Sequence, residues 1–407
     1  MVLPVVLIVI TVGGTTLLML LGGNSSGSGV PVPASVVNPH PAAGSFVPDD
    51  TQIADCADDT GCLEQAFGNL AYDDGPQAAF RVFDRESASD GPVQADCHRI
   101  AHYMGAAALA RDDGNVGEAF SQGSSSCWSG YYHGILERAF ADVPAEDRSE
   151  VARRLCAEIR DQGTFLTFQC MHGLGHGLMI TTGYDLPSAL SVCGDLETNW
   201  DRDSCRGGVF MENIATAAGS PIQVTGKPQW LSDDDLLYPC DDDRLVVRAS
   251  KDQCYIMATS RILQANGYDF RGAAGWCLKA ERRWVGTCFQ SLGRDSSGAS
   301  TYDPEATVRH CRAAAGYLDL CLWGAARDYT ARYAGGPQAG GLCRAVPANL
   351  RRHCFTGIGT ALVTTFDEPA RRAAACGAIS GRFRSACMLG VAHGDWAANP
   401  PRPSPGA

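Results

Sequence analysis

Residues 369–392 read PARRAAACGAISGRFRSACMLGVA. Pro369 opens a helix at a position that needs no N–H, and Asp367 and Glu368 before it suit the exposed amides of a first turn. An alanine-rich run leads to Cys376, Ser380-Gly381 breaks it, and a second helical run carries Cys387 and Gly390. The stretch predicts two helices joined by a short turn, with a disulfide across that turn. Closing a loop of about 15 residues contributes roughly 3 kcal/mol in the chain-entropy model.

Outward from this stretch the pattern recurs. Cys254, Cys288, Cys321, Cys354 and Cys387 are spaced by 34, 33, 33 and 33 residues, and Cys127, Cys170 and Cys205 extend the series upstream at 43, 35 and 49. Seven of these have an upstream companion (Cys156, Cys193, Cys240, Cys277, Cys311, Cys343 and Cys376), always with 9 to 13 residues between the two. Glycine stands three residues after six of the eight, as Gly130, Gly173, Gly208, Gly324, Gly357 and Gly390. Glycine lowers helix stability by about 1 kcal/mol relative to alanine, so its repetition implies helices in close contact. The expected fold is all-α: disulfide-stapled αα-hairpin repeats with a period of about 33 residues, stacked as a solenoid or closed into an α/α toroid. Asp185-Leu186-Pro187, Asp303-Pro304 and Pro144-Ala145-Glu146 mark further helix starts. The spacing leaves open the connectivity of Cys56, Cys62, Cys97 and Cys127.

Over roughly residues 140–396 the period and cysteine placement resemble the cysteine-stapled αα-hairpin repeat proteins that some bacteria secrete. The Leu-Gly and Tyr consensus positions of those repeats are not matched, and no function is carried across.

Residues 1–23 contain no charged side chain and reach the length of about 20 apolar residues that spans a bilayer. They read as an uncleaved membrane anchor rather than a removed signal peptide, Val32-Pro33-Ala34 being the alternative cleavage point. Residues 24–50, rich in Ser, Gly and Pro, read as a flexible linker. Residues 51–396 form the repeat domain, and 397–407 a disordered tail. Eighteen cysteines in 407 residues suit an oxidising compartment, so the repeat domain is expected outside the cytoplasm, membrane-tethered or secreted. The balance of 33 basic to 45 acidic residues, net -12, with no Lys/Arg run, excludes general nucleic-acid binding.

The histidines carry the chemical signal. Counted from the second cysteine, His133, His176 and His393 fall at the sixth position, each followed by glycine. Equivalent positions of a repeat point the same way. The pairs His98/His102 and His172/His176 are spaced i,i+4, which puts both imidazoles on one helix face. His133 and Glu137 share that spacing, and Glu212 sits one position beyond the register in the next repeat. The expected metal ligands are His98, His102, His133, His172, His176 and His393. Glu137 and Glu212 are expected as carboxylate ligands or general bases, and the ion as Zn, Fe, Cu or Mn. His393 joins such a cluster only if the array closes on itself. His310 and His353 read as solvent-facing turn or helix-end residues, and Arg294-Asp295 and Arg327-Asp328 as structural ion pairs.

No HExxH, GxSxG, P-loop or CxxC context occurs. The leading expectation is a membrane-anchored protein with a His-rich site that binds a transition metal, catalysis being one use of that metal and not decided by the sequence. The alternatives are a metal-free scaffold for a peptide, a glycan, or a cell-envelope protein or polymer, and a metal store or sensor.

Overall fold

The computed structural model describes residues 46–394, apart from 89–90, 142, 158, 218–229 and 367. The expected membrane segment, residues 24–45 of the spacer, the tail and His40 lie outside the described residues. Among the described residues every regular element is helical, and no helix is long and apolar enough to cross a membrane.

Ten helices follow one another so that each packs on the next: α1 (Thr60–Asp73), α2 (Cys97–Arg111), α3 (Gly130–Phe140), α4 (Thr164–Thr181), α5 (Asn199–Ala217), α6 (Ala258–Ala265), α7 (Val285–Ala299), α8 (Leu318–Arg332), α9 (Arg351–Leu362) and α10 (Arg384–Ala392). A further helix precedes each of α4, α5, α7, α8, α9 and α10 and is tied to it by one disulfide: Cys156–Cys170, Cys193–Cys205, Cys277–Cys288, Cys311–Cys321, Cys343–Cys354 and Cys376–Cys387. Asp185 and Asp303 accept from the Ser188 and Ala306 amides, so the acidic-proline signals cap as the sequence indicates. Glu368 makes no such bond before Pro369.

No cysteine is free. The connectivity left open by the sequence resolves as Cys56–Cys62 and Cys97–Cys127, the latter tying the start of α2 to the turn that precedes α3. Breaking one hairpin staple tests its contribution. The double variant Cys193→Ser/Cys205→Ser is expected to unfold at lower urea concentration, with a loss of about 2–4 kcal/mol.

Two expectations are corrected. The unit built on Cys240 is not a helix pair, for turns occupy 236–241 and 243–245 ahead of the Cys240–Cys254 bridge. The sequence Tyr238-Pro239-Cys240-Asp241-Asp242-Asp243 explains this. Pro removes a helix donor, and the aspartates bond the backbone locally, Asp235 accepting from Leu237 N and Asp242 from Arg244 N. Second, residues 46–50 do not belong to the spacer. Phe46 is buried with its ring 6.0 Å from Tyr72, and Asp49 exchanges hydrogen bonds with Asn69 of α1.

Glycine sets the distance between successive helices. A Cβ at Gly208 of α5 would lie 1.9 Å from the His172 carbonyl oxygen of α4, and one at Gly175 of α4 would lie 2.1 Å from the Cys205 oxygen of α5. The same reciprocal arrangement joins α7 to α8 through Gly293 and Gly324, and α9 to α10 through Gly359 and Gly390. The backbones therefore touch where any side chain would separate them. Gly173 and Gly357 differ: a Cβ there would have 3.3 Å of clearance.

Candidate metal centre

Four successive helices deliver the candidate ligands. The crossing of α2 and α3 is glycine-tight, for a Cβ at Gly134 would lie 1.9 Å from the His102 carbonyl and one at Gly105 would lie 2.0 Å from that of Tyr131. That approach brings His98 and His102 of α2 to His133 of α3, with ring centroids 5.3 and 5.4 Å apart. The tight contact of α4 with α5 likewise lets Glu212 reach His176, at 2.9 Å. Imidazoles of His133 and His176 stack at 4.6 Å, and His172 lies 5.1 Å from His133. Five of the six expected histidines thus converge. Two sets, His98/His102/His133 and His133/His172/His176, each present one ring nitrogen per residue within 4.8 Å of the others.

His393 does not join them. It is exposed at the C-terminal end of α10, because the helix stops at Ala392 and leaves no turn to hold the side chain in register. His310 and His353 are half-buried rather than solvent-facing, stacked on Phe270 and packed on Trp323.

The outer nitrogens are spoken for. His98 Nδ1 donates to the Cys127 carbonyl at 2.8 Å, in a turn where Cys127, Trp128 and Ser129 all adopt left-handed φ of 48, 55 and 64°. His102 Nδ1 donates to Glu137, His176 Nδ1 to Glu212, and His172 to the Ser204 backbone. A ring N–H that donates to a carboxylate or carbonyl fixes the tautomer and aims the other nitrogen. The result is that Nε2 of His98 and Nε2 of His102 face each other at 3.1 Å. Two bare lone pairs at that distance repel unless a proton or a cation lies between them. In the same pocket, buried His176 Nε2 and His133 Nδ1 have no hydrogen-bond partner among the described residues, a cost of about 1–3 kcal/mol for each unmet group.

Burial, followed by neighbouring imidazoles, depresses His98 and His172 to a pKa of about 3 and pushes His133 well below the ordinary value. These three rings are neutral, the form that offers a lone pair. At His102 burial also disfavours charge, but the Glu137 carboxylate, aided by Glu212 and Glu64, outweighs it and raises the pKa. The buried carboxylates that attract a proton there also supply charge to balance a bound cation.

Beside the cluster lies a cavity of about 350 Å³ with His133 and His172 in its wall. Its lining runs from Ser125 to Gly394 and joins early helices to late ones. Trp128 Nε1 donates to Asp328 on α8 at 3.3 Å, and Arg332 lies over the Trp128 ring. Trp128 lines this cavity, whereas the neighbouring Tyr131 and Tyr132, and Phe210 of α5, are buried in the core. Sequence reasoning missed Phe168 and Trp200 of the cavity wall. The signal for Phe168 was its i,i+4 spacing to His172, on which it stacks at 5.6 Å. Of the two expected Arg-Asp ion pairs, Arg294–Asp295 forms at 2.8 Å, whereas Asp328 bonds Trp128 and Tyr302 instead of Arg327.

Among the described residues, fold and site together define a disulfide-stapled, all-helical protein with a cluster of five histidines, His133, His172 and His176 buried and His98 and His102 half-buried, at the edge of an aromatic cavity. No family model, curated protein or solved structure matches it.

Proposed function

We propose that the chain is an extracytoplasmic αα-hairpin repeat protein, held at the membrane through residues 1–23, that binds a transition metal through His98, His102, His133, His172 and His176. The observation that carries this reading is the pair of three-histidine sets sharing His133. Ideal Zn–N bonds of about 2.0–2.1 Å give an N···N edge of about 3.3 Å in a tetrahedral site, close to the 3.1 Å between His98 and His102 Nε2. Imidazole donors suit Zn, Cu and Fe better than Mn, which prefers carboxylate oxygen. Glu137 and Glu212 position His102 and His176, and with His176 they form a further set whose ligand atoms lie within 4.8 Å of one another.

The repeat arrangement is supported by the sequential packing of α1 to α10 and by contacts from the 127–129 turn to α8. These contacts favour a tightly wound array with an internal cavity over an open, extended solenoid. A metal ion at His133 and His172 would border that cavity, where it supplies Lewis acidity or redox chemistry to a bound molecule. The burial of the ligands argues for a resident ion over a store or sensor that must exchange freely.

Chelator-treated protein with intact disulfides, loaded separately with Zn, Cu and Fe and desalted, is expected to retain one or two ions per chain by elemental analysis. Retention of none removes the reading. In the loaded protein Glu212→Gln is expected to weaken metal affinity by about 10–100-fold, the usual effect of losing a carboxylate behind a ligating imidazole. Competition against a chromogenic chelator measures it, and unchanged affinity would deny Glu212 its positioning role.

A further inference from the structure

Position six after the second cysteine holds histidine in α3 and α4 but arginine in α7 and α8. The two arginines differ in what they meet. Arg294 donates to Asp295 and Ser260 and contacts the Met257 sulfur. Arg327 makes no hydrogen bond or ion pair among the described residues, although it lines the same cavity as His133 and His172. Its side chain is exposed, and desolvation by the surrounding protein lowers its pKa.

The carboxylates of the cavity wall are already engaged. Asp328 accepts from Trp128 and Tyr302, Asp203 pairs with Arg206 at 3.1 Å, and Asp252 accepts from Gln253. What the cavity offers an incoming molecule is therefore a guanidinium fork with no hydrogen bond or ion pair of its own, in a wall that also carries Phe165, Phe168 and Trp200. A planar guanidinium matches a carboxylate through two parallel N–H···O bonds, and a volume of about 350 Å³ lies within the usual range for small-ligand sites.

We infer that this cavity binds a small organic acid, with its carboxylate on Arg327 and its apolar body against the aromatic wall next to the histidine cluster. The inference extends the metal reading, which would make the acid the substrate of the centre, but binding at Arg327 does not need the ion.

Calorimetric titration of the full chain with 3-phenylpropionate, its neutral amide and acetate tests it, in metal-stripped and metal-loaded protein alike. The expected result is one site for 3-phenylpropionate in both forms, with the amide and acetate each at least about tenfold weaker. Arg327→Gln is expected to lose about tenfold or more, and Arg327→Lys, which keeps the charge, to lose less. Helical circular dichroism of both variants confirms folding. Equal affinity of acid and amide, an affinity unchanged in Arg327→Gln, or no detectable binding overturns the inference. So does binding that requires the metal and ignores Arg327. If no metal binds but the acid does so through Arg327, the metal reading fails and this one stands.

Discussion

Replacing His133 by alanine is expected to empty both halves of the metal centre. His133 belongs to each three-histidine set, whereas His98 and His102 belong to one and His172 and His176 to the other. Loss of a supporting carboxylate alone costs about 10–100-fold in affinity, so loss of a shared ligand is expected to exceed about 100-fold and leave the desalted protein with little metal. His98→Ala is expected to remove only the ion held by the first set. His353→Ala, outside the cluster and packed on Trp323, is expected to retain the full complement. Elemental analysis of the three variants, with helical circular dichroism as the folding control, reads the outcome directly. Wild-type metal content in His133→Ala would show that the imidazoles meet for packing and not for coordination.

The largest effect on stability is expected from a single methyl group. In Gly324→Ala the new Cβ would lie 1.9 Å from the Gln290 carbonyl oxygen of α7. The obstacle is backbone, so no rotamer change relieves it, and the two helices must move apart along a contact that Gly293 makes equally tight from the other side. Overpacking usually costs about 1–3 kcal/mol, and a clash between main chains is expected at or above the top of that range. Gly298→Ala, in the partner helix α7 and with open space around it, is expected to have the opposite sign, a gain of up to about 1 kcal/mol from helix propensity. Urea denaturation of the two variants compares them. If Gly324→Ala falls within about 0.5 kcal/mol of wild type, the glycine crossings do not control helix spacing.

These variants also mark what the sequence could and could not disclose. Cysteine spacing exposed the hairpin staples because a covalent bond across a short turn leaves a fixed interval in the chain. The intervals around Cys97 and Cys127 differ, since that bridge spans 30 residues and closes over α2 and a further short helix. Glycine three residues after cysteine signalled close contact at Gly208, Gly324 and Gly390. Its counterpart five residues after the preceding cysteine, at Gly175, Gly293 and Gly359, became meaningful only as a partner in space. Helical spacing grouped His98 with His102 and His172 with His176, and repeat register added His133. The same register misplaced His393 because it assumes that every helix runs equally long. Arg327 was read as the partner of Asp328 from adjacency alone. Adjacency does not decide the matter, since Arg294 and Asp295 meet at 2.8 Å while the Asp328 carboxylate is taken by Trp128 and Tyr302.

Every cysteine in this chain is bonded to the very next cysteine along it, from Cys56–Cys62 to Cys376–Cys387. A polypeptide threaded end-first into an oxidising space therefore always meets its correct thiol before any wrong one. If the chain is exported in that way, the native pattern would be the default product of vectorial oxidation, without reshuffling of mismatched bonds.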